Sequence, residues 1–111
     1  MSTDDKPLVW LHGEVRSPPF SRSARLRSGF LLRALQAGQS LGLPHSRPMP
    51  SVASRCHELR IQDGEKSWRL IYRIDLDAIV IVDVFSKKTG KTPNAIMGRC
   101  RKRLRSYDAI S

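Results

Sequence analysis

Three lysines stand within the short stretch FSKKTGKTP, residues 85–93. Lys87, Lys88 and Lys91 could bind a phosphate, and the tripeptide GKT matches the end of a nucleotide-binding P-loop. That loop requires a glycine five positions before Gly90, so that backbone amides can wrap the phosphate. Phe85 occupies that position, and lysines fill places that small residues normally take. The stretch therefore predicts phosphate binding in some setting other than a nucleotide fold.

More cations are expected near these lysines if the middle of the chain forms a hairpin. Arg60 and Arg69 flank an Asp63-Gly64 turn, and Arg73 shares a strand face with Arg69. Adjacent antiparallel strands bring such side chains into one patch. The members of this predicted patch are Arg60, Arg69, Arg73, Lys87, Lys88 and Lys91.

Other chemistries have weaker support. Most acidic residues fall at predicted turns, where aspartate is an ordinary turn former. Asp83 lies inside an apolar run, and we interpret it as a buried carboxylate paired with an arginine. The chain has no serine elbow motif, no CxxC and three scattered histidines. We therefore predict no metal, no small-molecule cofactor and two reduced, buried cysteines.

Composition limits the protein to one modest domain. The 111 residues carry 20 Lys and Arg against 10 Asp and Glu, a net charge of +10. Such a charge favours nucleic acid, the ribosome or an acidic protein as partner, although a basic protein without such a role is the simpler alternative. No segment is predicted to span a membrane and no signal sequence is evident, which favours a cytoplasmic location. We expect residues 1–7 to form a flexible tail and residues 8–111 a single domain.

The first half of the chain predicts a strand, a long helix and an irregular segment. Residues 8–11 form a short apolar run suited to a strand. From residue 21 to residue 41 the apolar positions repeat at helical spacing, with a predicted core face of Leu26, Phe30, Ala34, Ala37 and Leu41 that Leu31 and Leu35 widen. Residues 44–54 hold three prolines and no period, so we expect an irregular crossing.

The second half predicts a three-stranded meander and a basic helix. Residues 56–62 and 67–75 alternate in polarity across the Asp63-Gly64 turn, and residues 78–85 are apolar on both faces, as in a central strand. A helix that starts at about residues 92–94 carries a basic surface of Arg99, Arg101, Lys102, Arg103 and Arg105. The predicted fold is α+β: an antiparallel curved sheet of the first strand and the meander, packed with a long N-terminal helical segment and a C-terminal helix.

The sequence resembles a toxin family in several ordered motifs. These are HELRIQDG, the strand WRLIYRI, the apolar strand ending FSKK, the KTP that follows, and a basic helix with a terminal tyrosine. Together, over roughly residues 8–107, they resemble the phage-derived, HigB-type branch of the RelE/ParE toxin superfamily. The resemblance implies a RelE-like fold and a toxin of a type II toxin–antitoxin system. It also implies a cognate antitoxin, the ribosome and mRNA as partners.

The resemblance further implies a reaction and a set of residues. Similar toxins cleave mRNA on the ribosome without a metal, inhibiting translation, because the ribose 2′-OH attacks the neighbouring phosphate. Arg69 would stabilise the phosphate and its transition state, assisted by Arg60. Lys87, Lys88 and Lys91 would bind phosphate or ribosomal RNA or transfer a proton. Tyr72 would stack or transfer a proton, although its place on the apolar face of Trp68 and Leu70 favours core packing.

Further nucleic-acid contacts are expected from Arg73 and from the basic helix at Arg99, Arg101, Lys102 and Arg103. The general base cannot be transferred from the family, because its branches use different catalytic sets. Two alternatives remain open: a ParE-like inhibitor of DNA gyrase, and a nucleic-acid-binding module without catalysis.

Overall fold

The computed structural model describes residues 5–11, 20–87 and 92–110, which contain five strands and two helices. The strands are β1 (Leu8–Trp10), β2 (Ser46–Pro48), β3 (Cys56–Asp63), β4 (Lys66–Ile74) and β5 (Ile79–Lys87). The helices are α1 (Arg22–Gln36) and α2 (Asn94–Ile110). The predicted α+β class is confirmed.

The sheet is mixed, with the strand order β1-β5-β4-β3-β2. The predicted meander is confirmed, since β4 pairs antiparallel with β3 on one side and with β5 on the other. Gly64 makes the β3–β4 turn at a φ of 61°, a left-handed conformation that suits glycine. The prediction of a wholly antiparallel sheet was wrong, because β1 pairs parallel with β5. Two parallel strands must be joined by a crossover connection. Here the chain between β1 and β5, which contains α1 and the strands β2 to β4, forms that connection.

The segment predicted to be irregular contains the edge strand β2. It pairs antiparallel with β3 and places Arg47 opposite Glu58. Proline cannot donate a ladder hydrogen bond, so it is tolerated only at edges and strand ends. Pro48 ends this three-residue edge strand, which explains why a proline-rich segment could still pair.

Helix α1 is shorter than predicted and buries only part of the predicted face. The Ser21 side chain caps its first turn by accepting a hydrogen bond from the Ala24 amide at 3.1 Å. The helix ends at Gln36, followed by Gly38 at a φ of 90°. Its buried side carries Ala24, Ser28, Leu31, Leu32 and Leu35.

The predicted core face of α1 was therefore wrong at three positions, of which Ala37 lies beyond the end of the helix and is exposed. Leu26 is 64% exposed and Phe30 is 74% exposed. The helix has apolar residues on two sides, and spacing alone did not show which side meets the sheet.

The sheet has a core on each face. Leu59, Leu70 and Ile81 pack with α1 on one face. Ile71 and Val80 pack with Cys100 and Leu104 on the other face, beneath α2. As predicted for a central strand, β5 is buried on both faces.

Two boundary features concern the chain start and the membrane. Lys6, inside the segment predicted as a flexible tail, exchanges hydrogen bonds with Gln36 at 2.8 and 2.9 Å, while residues 1–4 lie outside the described residues. No helix in the described ranges is both long enough and apolar enough to cross a bilayer.

Candidate nucleic-acid interface

Two arginines stand directly opposite each other on the sheet face that α2 partly covers. Arg60 of β3 and Arg69 of β4 are register partners, and Lys87 of β5 lies one row further along the same face. Opposed side chains in such a ladder have Cβ atoms about 4.5–5.5 Å apart, and like charges there repel. The fold thus holds two positive charges side by side, an arrangement that an anion between them would stabilise.

Glu58 is the carboxylate that holds this cationic row in place. Its side chain is fully buried on the same face of β3. One oxygen, Oε1, lies 3.1 Å from Nε of Arg47, 3.4 Å from Nε of Arg69 and 3.8 Å from Nζ of Lys87. The hydroxyl of Thr92 donates to the other oxygen, Oε2, at 2.6 Å. One buried carboxylate therefore links β2, β3, β4, β5 and the segment before α2.

Two buried nitrogen atoms of the cationic row form no hydrogen bond within the described residues. Within the described residues, Nε of Arg60 and Nε of Arg69 are buried and donate no hydrogen bond; the Arg69 Nε is within ion-pair distance of Glu58 but is not aligned for a hydrogen bond. A buried donor left unpaired costs about 1–3 kcal/mol. Two such donors on adjacent strands indicate a site prepared for an anion.

A pocket of about 390 Å³ opens over these arginines. It lies at the edge of β3 beyond the start of β2, and Arg27 of α1 closes one side by donating to the Gln62 carbonyl at 2.7 Å. Its lining is Arg27, Pro44, His45, Arg60, Gln62, Ser67 and Arg69. We call this space the arginine pocket.

Burial changes the acidity of two of these cations. Desolvation lowers the pKa of Arg69, and the nearby Glu58 carboxylate opposes that change. Desolvation likewise lowers the pKa of Lys87, again against Glu58. A guanidinium stays charged under both influences, whereas an ammonium with a lowered pKa gives up its proton more readily. Arg69 suits charge stabilisation, and Lys87 suits proton transfer.

The structure separates Tyr72 from these cations. Its side chain points to the opposite face of the sheet, where it is buried among the residues packed on α1. Its hydroxyl lies 2.6 Å from the Ser46 hydroxyl, and its ring stacks on His57 with centroids 5.3 Å apart. This position corresponds to the core-packing alternative for Tyr72.

Arg73 is engaged in ion pairs away from the arginine pocket. Its guanidinium binds both Asp75 and Asp108, each through two hydrogen bonds of 2.7 to 3.0 Å. Arg73 therefore ties the end of α2 to β4 and has no donors aimed at the pocket. These ion pairs disfavour the predicted nucleic-acid contact of Arg73.

The cations of α2 divide into bound and exposed groups. Arg99 and Arg103 both pair with the fully buried Asp83, so the interpretation of Asp83 as an arginine-paired carboxylate agrees with the structure. Arg101 donates to the Ser51 carbonyl at 3.0 Å, and Lys102 is exposed. Lys88 and Lys91, both predicted as site residues, lie outside the described residues.

Sequence reasoning missed Arg47, His45 and the role of Glu58. Arg47 and His45 lie in the segment interpreted as irregular, so no face could be assigned to them. Glu58 had a usable indication: it alternates with Cys56 and Arg60 in β3, which places a carboxylate on the cationic face.

The cysteines and the acidic residues form no metal centre in the described ranges. Cys56 and Cys100 are free and buried, and burial raises the pKa of Cys56 to about 11 and that of Cys100 to about 12. Among the described residues, no three His, Cys, Asp or Glu side chains converge to hold a metal ion.

The fold and the site define a small basic α+β protein with a carboxylate-anchored arginine pair on one sheet face. The family model described as Phage derived protein Gp49-like (DUF891) matches residues 19–105, and the chain belongs to this family. It is a RelE-like toxin family, associated with toxin–antitoxin systems, which implies an antitoxin partner. Comparisons with curated proteins and with solved structures gave no match. The toxin superfamily predicted from the motifs is thus confirmed, while the HigB-type branch stays a prediction.

Proposed function

We propose that the chain is the toxin of a type II toxin–antitoxin system and a ribosome-dependent, metal-independent mRNA endoribonuclease. The observation that carries the proposal is that the register partners Arg60 and Arg69 both line a 390 Å³ pocket and that, within the described residues, neither of their buried Nε groups forms a hydrogen bond. A phosphodiester is the anion of RNA, and arginine binds phosphate oxygens through its planar fork of donors. The Gp49-like family supports the toxin part of this proposal.

The proposed reaction transfers the phosphorus from one ribose oxygen to another. The 2′-oxygen bonds to phosphorus while its proton leaves to a base, and the bond from phosphorus to the 5′-oxygen breaks as that oxygen takes a proton. The products are a 2′,3′-cyclic phosphate and a 5′-hydroxyl. Negative charge develops on the phosphate oxygens, where Arg60 and Arg69 stabilise it.

Two described residues suit the proton transfers. His45 lines the arginine pocket, and imidazole is the group most often used as a general base. Lys87 has its pKa lowered by desolvation, which favours donation to the 5′-oxygen. We assign the base to His45 and the acid to Lys87, with Lys88 and Lys91 as further phosphate contacts from the adjacent segment.

The partners follow from charge and family. A cognate antitoxin is expected to be partly acidic, because it must bind a chain of net charge +10. The ribosome and its mRNA are the proposed targets, and their phosphates are attracted by the same charge.

The test is inducible expression in a bacterium, with primer extension on cellular mRNA. The wild-type chain should arrest growth and leave codon-phased 5′-hydroxyl ends. Arg69→Ala and His45→Gln should each lower the cleavage rate by about 100-fold or more, the usual worth of a transition-state donor or a general base. Arg33→Gln removes one exposed charge from the far side of α1 and serves as the matched control.

Each alternative has its own outcome in this experiment. DNA damage with intact mRNA would replace the proposal with gyrase inhibition. Nucleic-acid binding without cleavage products, weakened equally by Arg69→Ala and Arg33→Gln, would identify a non-catalytic binding module.

A further inference from the structure

A second pocket, of about 440 Å³, lies beside the arginine pocket on the same sheet face. It is formed between β2, the loop after β2 and the start of α2. We call it the methionine pocket. Its lining includes Arg47, Met49, Ser51, Thr92, Asn94 and Met97.

The two pockets share one carboxylate. Arg47 and Thr92 line the methionine pocket and both contact Glu58, at 3.1 and 2.6 Å. Arg69 lines the arginine pocket and contacts the same Glu58 at 3.4 Å. A ligand that follows the cations from one pocket to the other therefore passes along a row of charges fixed to a single buried group.

The lining of the methionine pocket has the chemistry of a nucleoside site. Met49 and Met97 supply polarizable apolar surface of the kind that adapts to a flat ring. Arg47 keeps a third of its side chain exposed, and a guanidinium plane can stack on a base. Ser51 and Asn94 are exposed and add a hydroxyl and an amide group at the rim, which suits the hydrogen-bonding edges of a base and the ribose hydroxyls.

We propose that the methionine pocket is a second nucleotide subsite of the RNA strand whose phosphate lies in the arginine pocket. This inference rests on the proposed function. Arg47 is the bridging residue: its Nε is held by Glu58, and the rest of its guanidinium faces the strand between the pockets. Single-strand sites commonly combine such a cationic track with surfaces on which bases lie.

The test uses the methionine methyl group as a local probe. The full chain, labelled with ¹³C at the methionine methyls and ¹⁵N at arginine, is titrated with a 2′-O-methyl trinucleotide that cannot be cleaved. The Met97 methyl resonance should shift together with the Arg69 Nε resonance. Inorganic phosphate alone should shift Arg69 and leave Met97 in place.

Three variants separate the bridging role from charge and from folding. Arg47→Gln should raise the trinucleotide concentration that gives a half-maximal Met97 shift by about tenfold, because one charge-assisted contact is lost. Asn94→Asp places a carboxylate at the rim without touching Glu58 and should weaken it similarly, although a negative charge favours the start of α2. Arg33→Gln should bind as the wild type does.

The contrary outcomes are distinct. If the trinucleotide shifts Arg69 but not Met97, the second subsite is wrong and the proposed function stands. If it shifts neither resonance, the second subsite is overturned, and primer extension on cellular mRNA decides the proposed function separately. If an acidic peptide shifts Met97 and the trinucleotide does not, the pocket is a protein-docking site instead.

Discussion

Tyr72 shows how one residue can match a toxin motif and still serve packing. It follows Arg69 closely in sequence, yet strand alternation sends the two side chains to opposite faces. Burial raises the pKa of the Tyr72 hydroxyl, which bonds the Ser46 hydroxyl inside the core. A phenol held there cannot reach a phosphate bound by Arg60 and Arg69.

Tyr72→Phe should therefore leave RNA cleavage unchanged and lower stability slightly. The substitution keeps the ring stacked on His57 and removes one buried hydroxyl contact, which is worth about 0.5–1.5 kcal/mol. Denaturant unfolding and primer extension on the same variant measure both effects. A large loss of cleavage with intact stability would return Tyr72 to the active site.

Glu58 has the opposite character, since its side chain is fully buried and yet contacts three cations of the site. Its carboxylate binds Arg47, Arg69 and Lys87 through one oxygen, so we expect it to act by positioning. Direct proton transfer to RNA is disfavoured because the group is fully buried.

Glu58→Gln should lower the cleavage rate by about 10- to 100-fold, because a small displacement of a catalytic group costs that much. The amide keeps the shape of the side chain but not its charge, so the three cations lose their common partner. Turnover and KM measured on programmed ribosomes should show the loss mainly in turnover. Glu65→Gln, at the exposed β3–β4 turn, is the control; equal activity of the two variants would contradict a positioning role for Glu58.

At the scale of elements, the sequence predicted what depends on local periodicity. The β3–β4–β5 meander follows from strict alternation and the Asp63-Gly64 turn, and both are present. The parallel pairing of β1 and the edge strand β2 depend on distant partners instead, so no local pattern specified them.

The site divides in the same way as the fold. The shared face of Arg60 and Arg69 follows from alternation across a hairpin, and sequence alone could place it. The face of α1 could not be assigned, because Leu26 and Phe30 compete with Leu31 and Leu35 at equally helical spacing. Arg47 could not be assigned either, since its position depends on β2 pairing with β3.

The end of α2 is fastened to the sheet by charge. Asp108 accepts two hydrogen bonds from Arg73, and these bonds hold the pKa of Asp108 below its usual value of 3.8. A carboxyl group with a lowered folded pKa stabilises the fold above its unfolded pKa and loses that effect as the pH falls through the folded pKa.

Asp108→Asn should consequently destabilise the protein at pH 7, and the difference from the wild type should shrink as the pH falls through the lowered folded pKa of Asp108. The loss should be at most about 1 kcal/mol, because Asp108 is half exposed and water screens the pair. Thermal unfolding from pH 2 to pH 7 measures the difference. Asp77→Asn, in the exposed β4–β5 turn, is the control; an Asp108→Asn gap that stays constant as the pH falls would show that the ion pair is not its cause.

At the scale of the whole molecule, the net charge of +10 overstates the number of cations that are free to bind RNA phosphates. Several arginines are already paired with buried carboxylates, among them Arg99 and Arg103 on Asp83. Arg60, by contrast, forms no ion pair with any residue that the structure describes, and it lines the arginine pocket. The arrangement of charge should therefore matter more than its total.

The salt dependence of RNA binding separates these two kinds of arginine. Each phosphate neutralised on a single strand adds about −0.7 to the slope of log affinity against log salt concentration. Arg60→Gln should reduce the slope by about that amount, because it removes a cation that contacts the strand. Arg99→Gln removes the same formal charge but leaves Asp83 paired with Arg103, so its slope should match that of the wild type. Fluorescence anisotropy titrations of a 2′-O-methyl oligonucleotide, from about 50 to about 200 mM salt, measure both slopes. Equal reductions in both variants would mean that the chain attracts RNA through its total charge, and that the row of cations anchored by Glu58 does not define where the strand lies.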